Sequence, residues 1–243
     1  DCTDVTKVLE YTLEAGRPDT ISADKLKVAV AKNVTRMSVN PQTMNNVILS
    51  GIGRSHSADD FLRAYEIARD SGMRCINTDL IAGLPTETFE EFQNSVNLVT
   101  KLEPECITIH TMSIKRGSVL HEKLGDYALT DEKVVSQMVD YSINKLTELK
   151  YFPYYLYRQK YMTGNFENIG YAQKEHTGVY NIDIMEETTD IIAMGCGAVS
   201  KHVIGDRIER AFNFKSIYEY INRKGEKFDK KEKNVRKSYG GKE

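Results

Sequence analysis

RCINTDLIAGLPTET, residues 74–88, decides the fold. Residues 75–81 are a short run of β-formers, and Gly83-Leu84-Pro85 interrupts it. Thr88, followed three residues later by Glu91, is the signature of a capping box that opens a helix. Strand, turn and helix form the repeat of a parallel α/β fold, whose ligands bind at the carboxyl ends of the strands. Asp79 stands near that end. A solitary Asp before a turn is usually an N-cap or a solvated loop residue. The neighbouring strands argue for more.

Taking every second residue gives Thr12 and Glu14, then Arg36, Ser38 and Asn40, then Asn77 and Asp79, then Thr108 and His110. The alternate positions Leu13, Met37, Val39, Ile76, Leu80, Ile107 and Ile109 are apolar and suit an outer face covered by helices. A closed barrel interior is packed with branched aliphatics. A polar stripe repeated on consecutive strands implies instead a wet, partly open interior built around a polar ligand.

Strand and helix alternate over the first 150 residues. The pattern predicts strands at residues 11–14, 35–40, 74–81 and 106–112, and helices at 23–31, 59–70, 89–100 and 131–148. Right-handed crossovers make the strands parallel, and four such units are about half of an eight-fold barrel. A stable domain needs further strands before Asp1 or must expose an edge. The chain opens on Asp1 rather than Met, which leads us to expect a missing N-terminal part.

The texture changes after residue 150. Residues 151–157 are aromatic-rich and predict a strand, with those aromatics read as core. The Gly/Asn-rich residues 163–172 predict an irregular loop. Residues 181–187 and 190–194 look like a strand region leading into Gly195-Cys196-Gly197-Ala198, and residues 215–223 like a short helix. The domain reading is therefore 1–150, a partial barrel; 151–223, a last strand and smaller C-terminal α+β region; and 224–243, a charged, solvated tail.

Among 243 residues, 40% are hydrophobic and 28% charged, and the net charge is −2 with a pI near 6.3. That composition is ordinary for a globular protein and carries no general nucleic-acid or membrane footprint. No apolar run is long enough to span a bilayer and no signal-peptide pattern is present, so a cytoplasmic protein is expected. The four cysteines, Cys2, Cys75, Cys106 and Cys196, have no metal-ligand spacing and read as free thiols. The five histidines form no metal motif. His110 faces the stripe and is a candidate substrate contact or a structural hydrogen-bond partner. Lys115 and Arg116 beyond the fourth strand, and Arg17 after the first, are candidate carboxylate partners or solvated loop residues.

Several stretches together resemble the oxygen-independent coproporphyrinogen III oxidases (coproporphyrinogen dehydrogenases) of the radical SAM superfamily. They are EAGRPDT (14–20), RMSVNPQTMN (36–45), IGRSHS (52–57), NTDLIAGLPTET (77–88), IHTMSIKRGS (109–118), GNFENIGYA (164–172), MEE (185–187) and MGCGAVSK (194–201). The resemblance runs from about residue 11 to 221 and implies an α/β partial barrel of the radical SAM type. It implies S-adenosylmethionine (SAM) held against a [4Fe–4S] cluster, with Glu14, Gln42, Arg54, Asp79, Ser113 and Val199 at the positions that contact SAM, Ser113 through its backbone. It implies a tetrapyrrole substrate, whose propionates Lys115 and Arg116 could meet.

One departure stands out. The cluster of this family is held by Cys-x-x-x-Cys-x-x-Cys, three thiolates that leave one iron open. The sequence contains no such motif, nor the glycine-rich SAM motif that follows it. The expectation is that the ligands precede residue 1, so that this chain holds no metal and by itself is inactive. For the intact protein the resemblance implies SAM-dependent oxidative decarboxylation of coproporphyrinogen propionates to vinyls. The alternatives are a haem-binding chaperone of the same superfamily, or a radical SAM enzyme acting on another substrate such as tRNA. The near-neutral charge argues against nucleic acid. Electron donor and oligomeric state stay open.

Overall fold

The computed structural model of the chain describes residues 7–113, 129–158, 164 and 166–223. Its contacts cluster into two compact units, Asp1–Val179 and Tyr180–Glu243. In the first unit, six strands form one sheet: β1 (Thr12–Gly16), β2 (Arg36–Val39), β3 (Cys75–Ala82), β4 (Cys106–Thr111), β5 (Phe152–Tyr157) and β6 (Asn168–Ala172), in the order β1-β2-β3-β4-β6-β5. The first four are parallel neighbours, as the alternation of strand and helix predicts. Helices α1 (Ala23–Ala31), α2 (Asn46–Gly51), α3 (Ala58–Asp70), α4 (Phe89–Thr100) and α5 (Glu132–Glu148) connect or follow them.

Local chemistry sets these boundaries. Ser57 with Asp60, and Thr88 with Glu91, form the reciprocal capping boxes that open α3 and α4. The Asn45 side chain accepts from Val47 N and Ile48 N and starts α2, a helix too short for periodicity to show. Met37, Val39, Ile76, Leu80, Ile107 and Ile109 on one face of the strands join Leu26, Phe61, Phe92, Val96, Val99 and Met138 from the helices in one core cluster. Burying each such side chain stabilises the fold by about 1.5–3 kcal/mol, which fixes the register: a slip of one residue would turn the apolar set into the interior.

Two expectations are corrected. Residues 168–172 are not loop but β6, which pairs antiparallel with both β4 and β5. Gly170 read as a breaker, yet here it marks a close approach. It lies between Thr108 and Tyr155 in the register, and a Cβ there would sit 1.8 Å from the Tyr155 ring. The bare backbone lets that ring cross β6 so that Tyr155 Oη meets Thr108 Oγ1 at 3.2 Å.

The second correction concerns residues 181–187, expected as strand. Val179–Glu186 is helix α6 in the second unit. Its Ile182-Asp183-Ile184 alternation suits a strand, but the described strands there pair only with each other, as the hairpin β7 (Val199–Ile204) and β8 (Arg207–Phe212). The segment pairs with neither strand, and its backbone satisfies its polar groups locally within the helix. Of residues 190–194, Ile191 alone makes a bridge, to Lys201. The predicted helix near residue 215 is α7 (Ile217–Asn222).

The loop between β3 and α4 buries a carboxyl. Glu87 is 3% exposed. Thr43 Oγ1 donates to its Oε1 at 2.7 Å, and Ser95 Oγ lies 3.3 Å from the same hydroxyl. This contact ties the Gly83-Leu84-Pro85 loop to the turn after β2. Burial pushes the Glu87 carboxyl from 4.5 up to about 8.

Two outcomes follow from this packing. Gly170→Ala is expected to force the Tyr155 ring aside and destabilise the protein by about 1–3 kcal/mol in urea unfolding, and an unchanged midpoint would contradict the close approach. For Glu87, the folded state keeps a proton that the unfolded chain releases between pH 4.5 and about 8. The stabilisation is therefore full below that window and lost as pH rises through it. Glu87→Gln keeps the Thr43 contact and carries no titratable group, so its stability relative to the native protein should climb across the window. Parallel pH profiles would show that Glu87 is ionised when folded.

Candidate functional site

The opposite face of β1–β4 carries the polar residues, and they bond to one another. At the centre is Asp79, near the carboxyl end of β3. Its Oδ2 accepts from Asn40 Nδ2 at 2.8 Å, and its Oδ1 from Asn77 Nδ2 at 2.7 Å. His110 Nε2 on β4 lies 3.4 Å from Asp79 Oδ2. Asn77 Oδ1 in turn accepts from Thr108 Oγ1 at 3.2 Å. On the β1 side, Ser38 Oγ donates to Glu14 Oε2 at 3.0 Å and accepts from Gly16 N at 3.1 Å.

The far side is aromatic. Tyr155 and Tyr157 stack with ring centroids 6.3 Å apart, and Tyr157 Oη lies 3.5 Å from His110 Nδ1. Burial raises the Tyr155 phenol above its usual range, so it stays protonated and able to donate. The sequence reading of residues 151–157 puts both tyrosines in the core. Their shared parity on β5 was the available signal, and the missed β6 hid it, because only β6 and its Gly170 bring them to the stripe.

Gln42 sits where the strand-end turn doubles back, with φ +68°. Its backbone accepts from Ile81 N at 2.9 Å and donates to Asp79 O at 3.0 Å, so it seats the turn on β3. Arg17 is exposed and held by Asp19 at 2.8 Å. Arg54 is half-buried and forms no ion pair among the described residues; its burial, then the nearby Arg17 charge, lowers its pKa. Two cations side by side with one carboxylate between them suit an incoming carboxylate. Ser113 follows the end of β4. Val199 opens β7 in the second unit. Lys115 and Arg116 lie outside the described residues.

At the other end of the stripe, Arg36 donates from Nη1 to Cys106 Sγ at 3.0 Å and from Nη2 to His176 O at 2.7 Å. Cys75 Sγ lies 3.8 Å from Cys106 Sγ. The hydrogen bond from Cys75, with the Arg36 guanidinium, lowers the Cys106 pKa, while that bond and burial raise Cys75. Cys196 is exposed in the second unit.

These residues fit one implied cofactor and not the other. SAM presents hydroxyl and amine donors, a cationic sulfonium and a carboxylate. Asp79, Glu14 and the Arg54–Arg17 pair have the matching chemistry, and Asn40 Oδ1 is a buried acceptor without a partner among the described residues. The cluster does not fit the described cysteines, Cys75, Cys106 and Cys196. Two are buried at the opposite end of their strands, and no three metal-ligating side chains converge among the described residues.

A sequence profile described as the Radical SAM superfamily matches residues 7–99, the segment from β1 to α4. The chain is 44% identical over 203 residues to the oxygen-independent coproporphyrinogen-III oxidase-like protein HemZ of Bacillus subtilis, covering 84% of this chain and 40% of that protein. It is 30% identical over 139 residues to the heme chaperone HemW of the same organism, covering 56% and 36%. Among solved structures, coproporphyrinogen III oxidase (HemN) from Escherichia coli, described as a radical SAM enzyme, superposes with a TM-score of 0.68 at 21% identity, covering 89% of this chain and 49% of that one. At that identity the likeness speaks to the fold, and the partial barrel expected from the sequence is the fold it supports. The chain thus spans less than half the length of each of these three proteins. On the profile match and the identity to HemZ, residues 7–99 are a Radical SAM superfamily segment, in a chain similar over most of its length to an oxygen-independent coproporphyrinogen-III oxidase-like protein.

Proposed function

We propose that the carboxyl ends of β1–β4 hold SAM, and that the protein uses it in radical oxidative decarboxylation of coproporphyrinogen III, turning propionates into vinyls. The observation that carries the reading is the Asp79 network, a carboxylate supported by Asn40, Asn77 and His110 at the ligand-binding end of a parallel sheet. Held there, SAM would supply hydrogen-abstraction chemistry once one electron from a [4Fe–4S] cluster cleaves its sulfonium, methionine being the leaving group. The part of this chain's own residues is to bind and orient. Asp79 and Glu14 take donors of the nucleoside and methionine moieties, Arg54 takes the carboxylate, and the Gln42 turn fixes the strand end. Tyr155, Tyr157 and His110 line the side toward which a flat macrocycle would lie and keep water from it.

The second reading, a haem-binding chaperone, rests on the identity to HemW, 30% over 139 residues. Haem titration against turnover of coproporphyrinogen separates the two: vinyl product supports the oxidase, and stoichiometric haem binding without turnover supports the chaperone.

For the SAM site, Asp79→Asn removes the charge that its donors share. The expected cost in SAM binding, measured by calorimetry, is about 1.5–3 kcal/mol, as for a hydrogen bond to a charged group. Unchanged affinity with a lowered unfolding midpoint would make Asp79 a structural residue only.

A further inference from the structure

We infer that Asn40 is a ribose-binding residue, its Oδ1 accepting one hydroxyl of the vicinal diol while Asp79 accepts the other. The inference deepens the SAM reading and rests on it. Asn40 is 9% exposed, at the turn that ends β2. Its orientation is not free. Nδ2 donates to Asp79 Oδ2 at 2.8 Å, and turning the amide over would set two acceptors against each other at that distance. The carbonyl end must therefore point away from Asp79.

Nothing among the described residues meets it there: Asn40 Oδ1 is buried without a donor. A buried carbonyl left unpaired costs about 1–3 kcal/mol, a cost that a hydroxyl of the ligand would offset at this strand end. Gly16 on β1 stands beside it, and a Cβ there would lie 3.8 Å from Asn40 Nδ2, an ordinary van der Waals contact. Its backbone also holds the site together, since Asn40 N donates to Gly16 O at 2.8 Å.

The chemistry of the donor follows from the pair. Asp79 has about four lone-pair directions; Asn40 and Asn77 occupy two by hydrogen bonds, and His110 Nε2 stands 3.4 Å off a third. One acceptor direction on Asp79 and one on Asn40 then remain on side chains bonded to each other. Two adjacent acceptors match two adjacent hydroxyls. The ribose of an adenosyl ligand offers that diol; an adenine amine or a methionine ammonium does not.

The test is the affinity of S-adenosylhomocysteine and of its 2′-deoxy and 3′-deoxy analogues for the native protein, Asn40→Ala and Asp79→Asn, by calorimetry. The native protein should bind each deoxy analogue about tenfold more weakly than the parent, because a site built to bond a hydroxyl is left unpaired by its loss. Asn40→Ala should abolish the penalty for one deoxy analogue and keep the other, and Asp79→Asn, whose neutral amide oxygen accepts more weakly, should reduce the other penalty and keep the first. If Asn40→Ala does not fold, Asn40→Val, which also carries no acceptor, gives the same reading. A native protein that binds the parent but does not distinguish the deoxy analogues overturns the inference alone. So does an Asn40→Ala protein that keeps both penalties, which would make Asn40 a support for Asp79 and nothing more. A native protein that does not bind the parent at all overturns the SAM reading, and the inference with it.

Discussion

The Asp79 carboxylate accepts hydrogen bonds from the end of β2 and from β3 itself and lies 3.4 Å from His110 Nε2 on β4, and the interior face of the sheet is organised around it. A carboxylate with only 18% of its side chain exposed has little water to hydrogen-bond and takes donors from the protein instead. Asn40 and Asn77 supply neutral amides, which support the charge without neutralising it. His110 ties the same group to Tyr157, and Asn77 passes the network to Thr108 and Tyr155. Four strands thus converge on one anion whose environment is held rigid before any ligand arrives. Such preorganisation is what a binding site requires, because the groups that meet the ligand need no further ordering.

The same alternation that builds this face builds the core. Leu80 is fully buried against the helices while Asp79, one residue earlier, stands on the other face. Register and function are therefore one constraint: a slip that exposed Leu80 would bury Asp79. The capping boxes at Ser57 and Thr88 fix where α3 and α4 begin, and Glu87 anchors the loop between Asp79 and α4 to the turn that carries Gln42. The turn in left-handed conformation at Gln42 and the buried Glu87 are local costs accepted where the ligand-binding end is assembled.

Most of the barrel was legible because its signals are local. Residues 23–31 and 89–100 form helices with the boundaries read from caps and period, and the parity of Asn77 and Asp79 against Ile76 and Leu80 placed the stripe on the correct face. What failed depended on partners distant in sequence. Whether Asn168–Ala172 is loop or strand is decided by the edges of β4 and β5, and the alternation in Val179–Glu186 does not by itself tell strand from helix. Asn40 was visible as a polar position, but its orphaned carbonyl is a property of geometry that no periodicity carries. Tyr155 and Tyr157 became part of the site only once Gly170 was seen to let a ring cross the intervening strand.

The central claim is that the polar ends of β1–β4 are an adenosyl-ligand site centred on Asp79. A crystal structure of the protein with S-adenosylhomocysteine tests it most directly. The account requires the nucleoside to lie across the strand ends, its ribose within hydrogen-bond distance of Asp79. Density for the ligand elsewhere, with Asp79 still contacting only Asn40, Asn77 and His110, would contradict it.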